Sequence, residues 1–222
     1  MAAYTKIVEF FGIPACGKTT LSNYLCDYYR DRMKVTTMGQ LVKEAKQHMF
    51  KLYTANPWAN VVAAQRLRKK TERNGIKYLG WPSHDKYYAY AKKYTDYDIV
   101  LADHGDIQSI VSLEQGKDLH KEECFLKACS NYLEVSLADI YVYCKLDASQ
   151  SLERMRQRGR NSGRIDVMND DKAQFLALDE ERTRFDFFAN LLRGNSNLFE
   201  LNMEAPTELI AQELIMHLKR EI

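Results

Sequence analysis

Ile7-Val8-Glu9-Phe10-Phe11-Gly12-Ile13-Pro14-Ala15-Cys16-Gly17-Lys18-Thr19-Thr20 carries two signals in succession. The β-branched and aromatic run Ile7 to Phe11 is short and stops at a glycine, so it reads as a strand near the middle of a sheet. Gly12 to Thr19 then fits G-x-x-x-x-G-K-[ST] without a gap. Leu21, Tyr24, Leu25 and Tyr28 recur at helical spacing and predict a helix from Lys18 to about Arg30. A strand, a glycine-bounded loop and a helix in that order make a phosphate cradle. The glycines let the loop curl until its backbone N–H groups face one anion, and the helix N-terminus adds its dipole. Gly12, Pro14, Ala15, Cys16, Gly17, Lys18, Thr19 and Thr20 form the cradle. Lys18 reaches the β- and γ-phosphates, and the Thr19 hydroxyl is placed to ligate Mg²⁺. Cys16 reads either as a thiol activated by Lys18 and the helix end, or as a small residue whose backbone matters.

Further strands are expected at Val35 to Met38, Asp98 to Ala102, Asp139 to Cys144 and Asn197 to Leu201. The third and fourth are nearly all apolar, as strands covered on both faces are. Helices are expected from Gln40 to Tyr53, Pro57 to Arg73 and Ser83 to Tyr94, with another closing the chain at Lys219. Strands alternating with helices predict an α/β fold with a parallel sheet and right-handed crossovers.

The 222 residues exceed one average domain, and the surplus lies between the second and third strands, at residues 39 to 97. Thirty-two basic and thirty acidic residues leave a net charge of +2. That total advertises neither a membrane nor a nucleic-acid partner. No apolar run approaches the ~18 residues of a membrane span. The five cysteines are odd in number, scattered and free of any C-x-x-C pair, which suits a reducing compartment. The chain reads as a soluble cytoplasmic protein.

Two later stretches narrow the chemistry. GTPases carry D-x-x-G after a strand, where Asp103-His104-Gly105-Asp106 stands here. Their N-K-x-D is mimicked only by Cys144-Lys145-Leu146-Asp147. From Arg154 to Arg164 there are five arginines in eleven positions, Arg154, Arg156, Arg158, Arg160 and Arg164. On a helix Arg154 and Arg158 share a face and Arg156 turns away. Gly159 to Gly163 then reads as a hinged loop. Arginines on a closing flap suit phosphoryl transfer, since they neutralise charge on the transferred group only when shut. A solvated basic helix face is the bland alternative.

Three matches give a resemblance to the P-loop nucleoside and nucleoside-monophosphate kinases, nearest in layout to thymidylate kinase and the deoxynucleoside kinases. They are the cradle with its G-x-P opening, as in adenylate kinases; Asp103-His104-Gly105 with Gln108 and Ser109 at the third strand; and Leu146-Asp147 through Arg164 as strand, helix and lid. The resemblance implies a three-layer P-loop NTPase fold in one domain, with a mainly parallel five-stranded sheet, a helical acceptor-side insertion at 39 to 97 and an arginine-rich lid at 154 to 171. It implies ATP and Mg²⁺ as cofactors and a nucleotide or nucleoside as small-molecule acceptor. No membrane or nucleic-acid partner is expected, and a homodimer is compatible with it.

In that frame Lys18, Asp103, Arg154, Arg158, Arg160 and Arg164 are the catalytic candidates, and Thr19 and Asp103 the metal ligands. Asp103 serves either as general base toward a hydroxyl or as holder of a metal-bound water. His104 replaces the family arginine and reads either as an imidazolium for acceptor phosphate or as a sheet-edge hydrogen-bonding group. Gln65 and Arg66 are candidates for the acceptor base and phosphate. Trp58, Trp81, Tyr87, Tyr88 and Tyr90 are candidate stacking surfaces. Asn202 to Pro206 falls at the family's adenine side. A regulatory ATPase without an acceptor, or a kinase of a polynucleotide end or other metabolite, stays open.

Overall fold

Five parallel strands lie in the order β2-β3-β1-β4-β5, with β1 (Lys6–Phe11) at the centre. The structure, a computed structural model, describes residues 5–48, 51, 55, 84–112, 136–159, 165–168, 170–194 and 197–221. Along the chain, β1 leads to α1 (Lys18–Tyr29), β2 (Val35–Thr37) and α2 (Met38–Gln47). Further along the chain come α3 (Asp85–Tyr94), β3 (Ile99–Ala102) and α4 (Asp106–Ser112). The second half holds β4 (Ile140–Lys145), α5 (Ala148–Arg158), α6 (Asp171–Arg193), β5 (Leu198–Asn202) and α7 (Thr207–Glu221). Each expected strand is present within a residue or so of its expected ends, and the sheet is wholly parallel.

Every residue of β3 is buried, which is what a central parallel strand covered on both faces requires. On one face Ile7, Val100 and Ala102 pack with Met38 and Leu41 of α2 and Tyr88 and Ala91 of α3. On the other, Val8, Phe10, Leu101 and Val142 pack with Leu21 and Leu25 of α1, Phe185 and Phe188 of α6 and Leu214 of α7. Apolar surface is thus removed from water on both sides of the sheet, giving three layers.

Two helices depart from the sequence reading. The second strand stops at Thr37, because a capping box there starts α2: Gln40 N donates to Thr37 Oγ1 and the Gln40 side chain accepts from Thr37 N. Helix α2 runs to Gln47; of the stretch expected to continue to Tyr53, residues 49, 50, 52 and 53 lie outside the described residues. Helix α6 spans 23 residues and was not evident from periodicity. The expected helix from Pro57 to Arg73 lies outside the described residues.

The strand order sets the site. From β1 the chain crosses to one side through α1 and β2, and later returns past β1 to β4, so the ends of β1 and β3 adjoin the crevice. The register Glu9↔Ala102 puts Asp103 one residue beyond β3, level with the strand end that feeds the Gly12 loop.

Candidate functional site: a phosphate-loop cleft

The loop between β1 and α1 curls through three left-handed residues. Gly12 has φ 148° and Gly17 φ 103°, and Ala15, at φ 55°, takes a conformation that ordinarily favours glycine. A Cβ at Gly12 would lie 2.5 Å from the Cys144 carbonyl oxygen, so the loop passes β4 too closely for any side chain. Helix α1 carries no acidic residue in its first turn, leaving its N-terminal dipole unopposed for an anion.

Lys18 is buried beneath the loop it belongs to. Its ammonium donates to the carbonyls of Gly12 at 2.7 Å and Ile13 at 3.1 Å, and approaches Cys16 Sγ at 3.4 Å. Burial pushes the Cys16 thiol up, but a hydrogen bond from Cys144 and the Lys18 charge outweigh it and hold Cys16 below the ordinary thiol value. Thr19 Oγ1 donates to Asp103 Oδ2 at 2.7 Å across 84 residues of sequence. The two residues read from sequence as metal ligands therefore touch.

Pro14 to Thr20, His104, Gln108, Ser109, Arg154, Arg158, Asp166 and Glu181 face a single cleft of about 820 Å³. Arg154 and Arg158 enter it from one face of α5, whereas Arg156 points away and pairs with Asp171. Arg154 donates to the Met203 carbonyl at 2.8 Å, and Arg158 meets the Asp166 carboxylate at 3.3 Å. Ser151 Oγ donates to the Pro14 carbonyl at 2.6 Å, fastening α5 to the cradle. Met203, in the Asn202 to Pro206 stretch, is buried and lies near Gly17 as well as Arg154.

His104 is exposed at the cleft wall. Desolvation by that wall and the Lys18 charge lower its pKa from 6.5, which favours the neutral ring. The neighbouring turn rests on buried carboxylates instead. Glu9, wholly buried in β1, accepts from Ile107 N at 2.8 Å and Tyr88 Oη at 3.1 Å. Asp106, also wholly buried, accepts from His84 N and faces His84 Nδ1, both at 3.0 Å. Gly105 makes this possible, since a Cβ there would sit 2.2 Å from Glu9 Cδ.

Burial alone would lower the His84 pKa, but its hydrogen bond to Asp106 and the charges of Asp106 and Glu9 raise it above 6.5. The stabilisation from charged His84 is therefore complete below about pH 6.5 and fades as pH rises through the higher folded value. The Tm advantage of wild type over Asp106→Asn should be widest below pH 6.5 and narrow toward pH 8. A constant gap across that range would assign Asp106 only its backbone role at His84.

Among the other sequence candidates, Tyr88 and Tyr90 are not stacking platforms: both are buried in the core, with hydroxyls bonded to Glu9 and Glu44. Lys145 pairs with Glu200 and Asp147 with Arg182, so Cys144 to Asp147 is occupied within the fold. Gln65, Arg66, Trp58, Trp81, Arg160 and Arg164 lie outside the described residues. Sequence reasoning missed Glu9, Asp106, His84 and Glu181. A lone charge inside Ile7 to Phe11 was the available signal for Glu9, because a carboxylate in a strand buried on both faces must have partners.

Comparison with solved structures decides the fold. Deoxyadenosine kinase from M. mycoides with products dCMP and dCDP bound matches 97% of this chain and 100% of its own at a TM-score of 0.56 and 12% identity. The chain has a P-loop nucleoside kinase fold. The same kinase with dCTP bound gives a TM-score of 0.55 at 14% identity over 97% of this chain, and with dATP bound 0.51 at 13% over 96%. No family model matches the sequence, and no curated protein does. The nucleoside kinase fold therefore emerges from the arrangement of the elements, not from overall sequence similarity. None of the described helices is long and apolar enough to cross a membrane.

Proposed function

We propose that this protein is an ATP- and Mg²⁺-dependent kinase acting on a nucleotide or nucleoside, working as one domain with its acceptor side at 39 to 97 and its lid at 154 to 171. The observation that carries this reading is the meeting of Lys18, Thr19, Arg154 and Arg158 in one cleft, with Asp103 hydrogen-bonded to Thr19, on a fold shared with nucleoside kinase structures. The nucleotides in the related kinase structures, dATP, dCTP, dCMP and dCDP, support a nucleotide donor and a nucleoside or nucleotide acceptor here.

Mg²⁺ favours hard oxygen ligands, and the Thr19 hydroxyl and Asp103 carboxylate fit that demand. Bound there, the ion supplies charge neutralisation at the phosphates. The loop N–H groups and α1 N-terminus hold the β-phosphate, and Lys18 exchanges its loop carbonyls for phosphate oxygens. An acceptor oxygen attacks the γ-phosphorus as the bond to ADP breaks, and Arg154 and Arg158 offset charge on the transferred group. A phosphate acceptor is already ionised and needs no base. A hydroxyl acceptor gives up its proton on the Asp103 side of the cleft. The chain suits a cytoplasmic setting, where ATP and free thiols coexist.

Incubation with Mg-ATP and a panel of nucleosides and monophosphates should yield ADP that depends on acceptor. ADP released equally fast without acceptor would replace this reading with that of an ATPase. Turnover driven only by oligonucleotides would make the substrate a polynucleotide end.

A further inference from the structure

The first turn of α4 contains one polar atom that the fold does not satisfy. Gln108 is 7% exposed and lines the cleft beside Lys18, His104 and Arg154. Its Oε1 is fully enclosed and accepts no hydrogen bond among the described residues. Every neighbour in this turn is bonded within the protein. Asp106 takes His84, Ile107 N goes to Glu9, and Ser109 Oγ donates to the Gly105 carbonyl. Buried amide oxygens in native proteins nearly always have a donor, and one left without a partner in a binding cleft points to a donor that arrives with a ligand.

The chemistry of that donor is restricted. Phosphate oxygens at neutral pH only accept, so neither the donor triphosphate nor an acceptor phosphate complements a carbonyl oxygen. The Lys18 ammonium is bonded to Gly12 and Ile13 at rest, and in the proposed reaction it turns to phosphate. What remains is a neutral N–H or O–H, which a nucleoside offers as an exocyclic amino group or a sugar hydroxyl.

We propose that Gln108 determines acceptor specificity, with Oε1 receiving a hydrogen bond from a neutral donor group of the acceptor. This rests on the kinase reading for the identity of the ligand, and its test is made by binding without turnover.

Equilibrium binding of matched nucleosides to the full chain separates the sources. Adenosine against inosine and cytidine against uridine exchange an amino group for a carbonyl, while 2′-deoxy and 3′-deoxy analogues remove hydroxyls. Wild type should bind the donor-bearing member of at least one pair about tenfold or more tightly. In Gln108→Met, nearly isosteric and apolar, that ratio should collapse to about one, with ATP affinity and Tm kept. Gln108→Glu, which keeps an acceptor oxygen, should preserve the preference. A ratio untouched by Gln108→Met overturns the proposal, as does an equal loss for ATP and every nucleoside, which would mean a structural role. Collapse of the ratio in a protein that makes no acceptor-dependent ADP would uphold Gln108 while removing the kinase reading. A working kinase whose preference survives Gln108→Met would do the reverse.

Discussion

Lys18→Ala should lower turnover by at least the ~10²–10³-fold that follows loss of one preorganised transition-state donor. The expectation is specific because of where the ammonium rests. It bridges the carbonyls of Gly12 and Ile13, at the two positions where the loop begins to curl, and sits under the cradle instead of in solvent. Truncation removes both the charge meant for the phosphates and the strap that shapes the empty loop. Steady-state kinetics should show the loss in kcat, and thermal unfolding should show a fold still cooperative, since the core on both faces of the sheet is untouched. Turnover at the wild-type rate would remove this cleft as the site of phosphoryl transfer.

Gly105→Ala should be among the most damaging substitutions to stability. The added methyl would overlap the Glu9 carboxylate, which is enclosed and held by Ile107 N and Tyr88 Oη. Either the turn lifts from the sheet or the carboxylate leaves its partners, and each buried group left unmatched costs about 1–3 kcal/mol. Two such groups amount to a large part of a typical net stability of roughly 5–15 kcal/mol. Urea unfolding should show the loss. In a Glu9→Ala background the same methyl should cost far less, because the space is open, so the two substitutions should be strongly non-additive. Simple additivity would show that Glu9 is not what the glycine accommodates.

The fold was legible where the chain spoke locally. The Ile7 to Phe11 run, its glycine and the G-K-T that follows require only neighbouring residues to be recognised, and the apolar strands at 99 and 140 are short and sharply bounded. Helix α6 was obscure for a physical reason. Its core stripe runs through Leu178, Phe185, Phe188 and Leu192, but Glu181 occupies a buried position within it because that part of the helix faces the cleft. A charge placed for the site breaks the very periodicity that would announce the helix. The turn between β3 and α4 was hidden differently. Glu9 is 98 residues from Ile107, and Asp106 is 22 from His84, so no local pattern links them. The Thr19–Asp103 contact was readable because each residue lies at a strand end that the fold class itself brings together.

Among the described residues, each cation lining the cleft is paired with an oxygen of the protein, and this shapes which anions can enter. Lys18 donates to two carbonyls and Arg154 to a third, neutral partners that satisfy their N–H groups without cancelling their charge, while Arg158 meets the Asp166 carboxylate. A lone sulfate must break such a contact to gain one, and the exchange is nearly balanced. A triphosphate presents oxygens to the lysine and both arginines together, so its contacts reinforce one another. Under the proposed function, selectivity for a polyphosphate over abundant small anions would come from the number of partners exchanged at once.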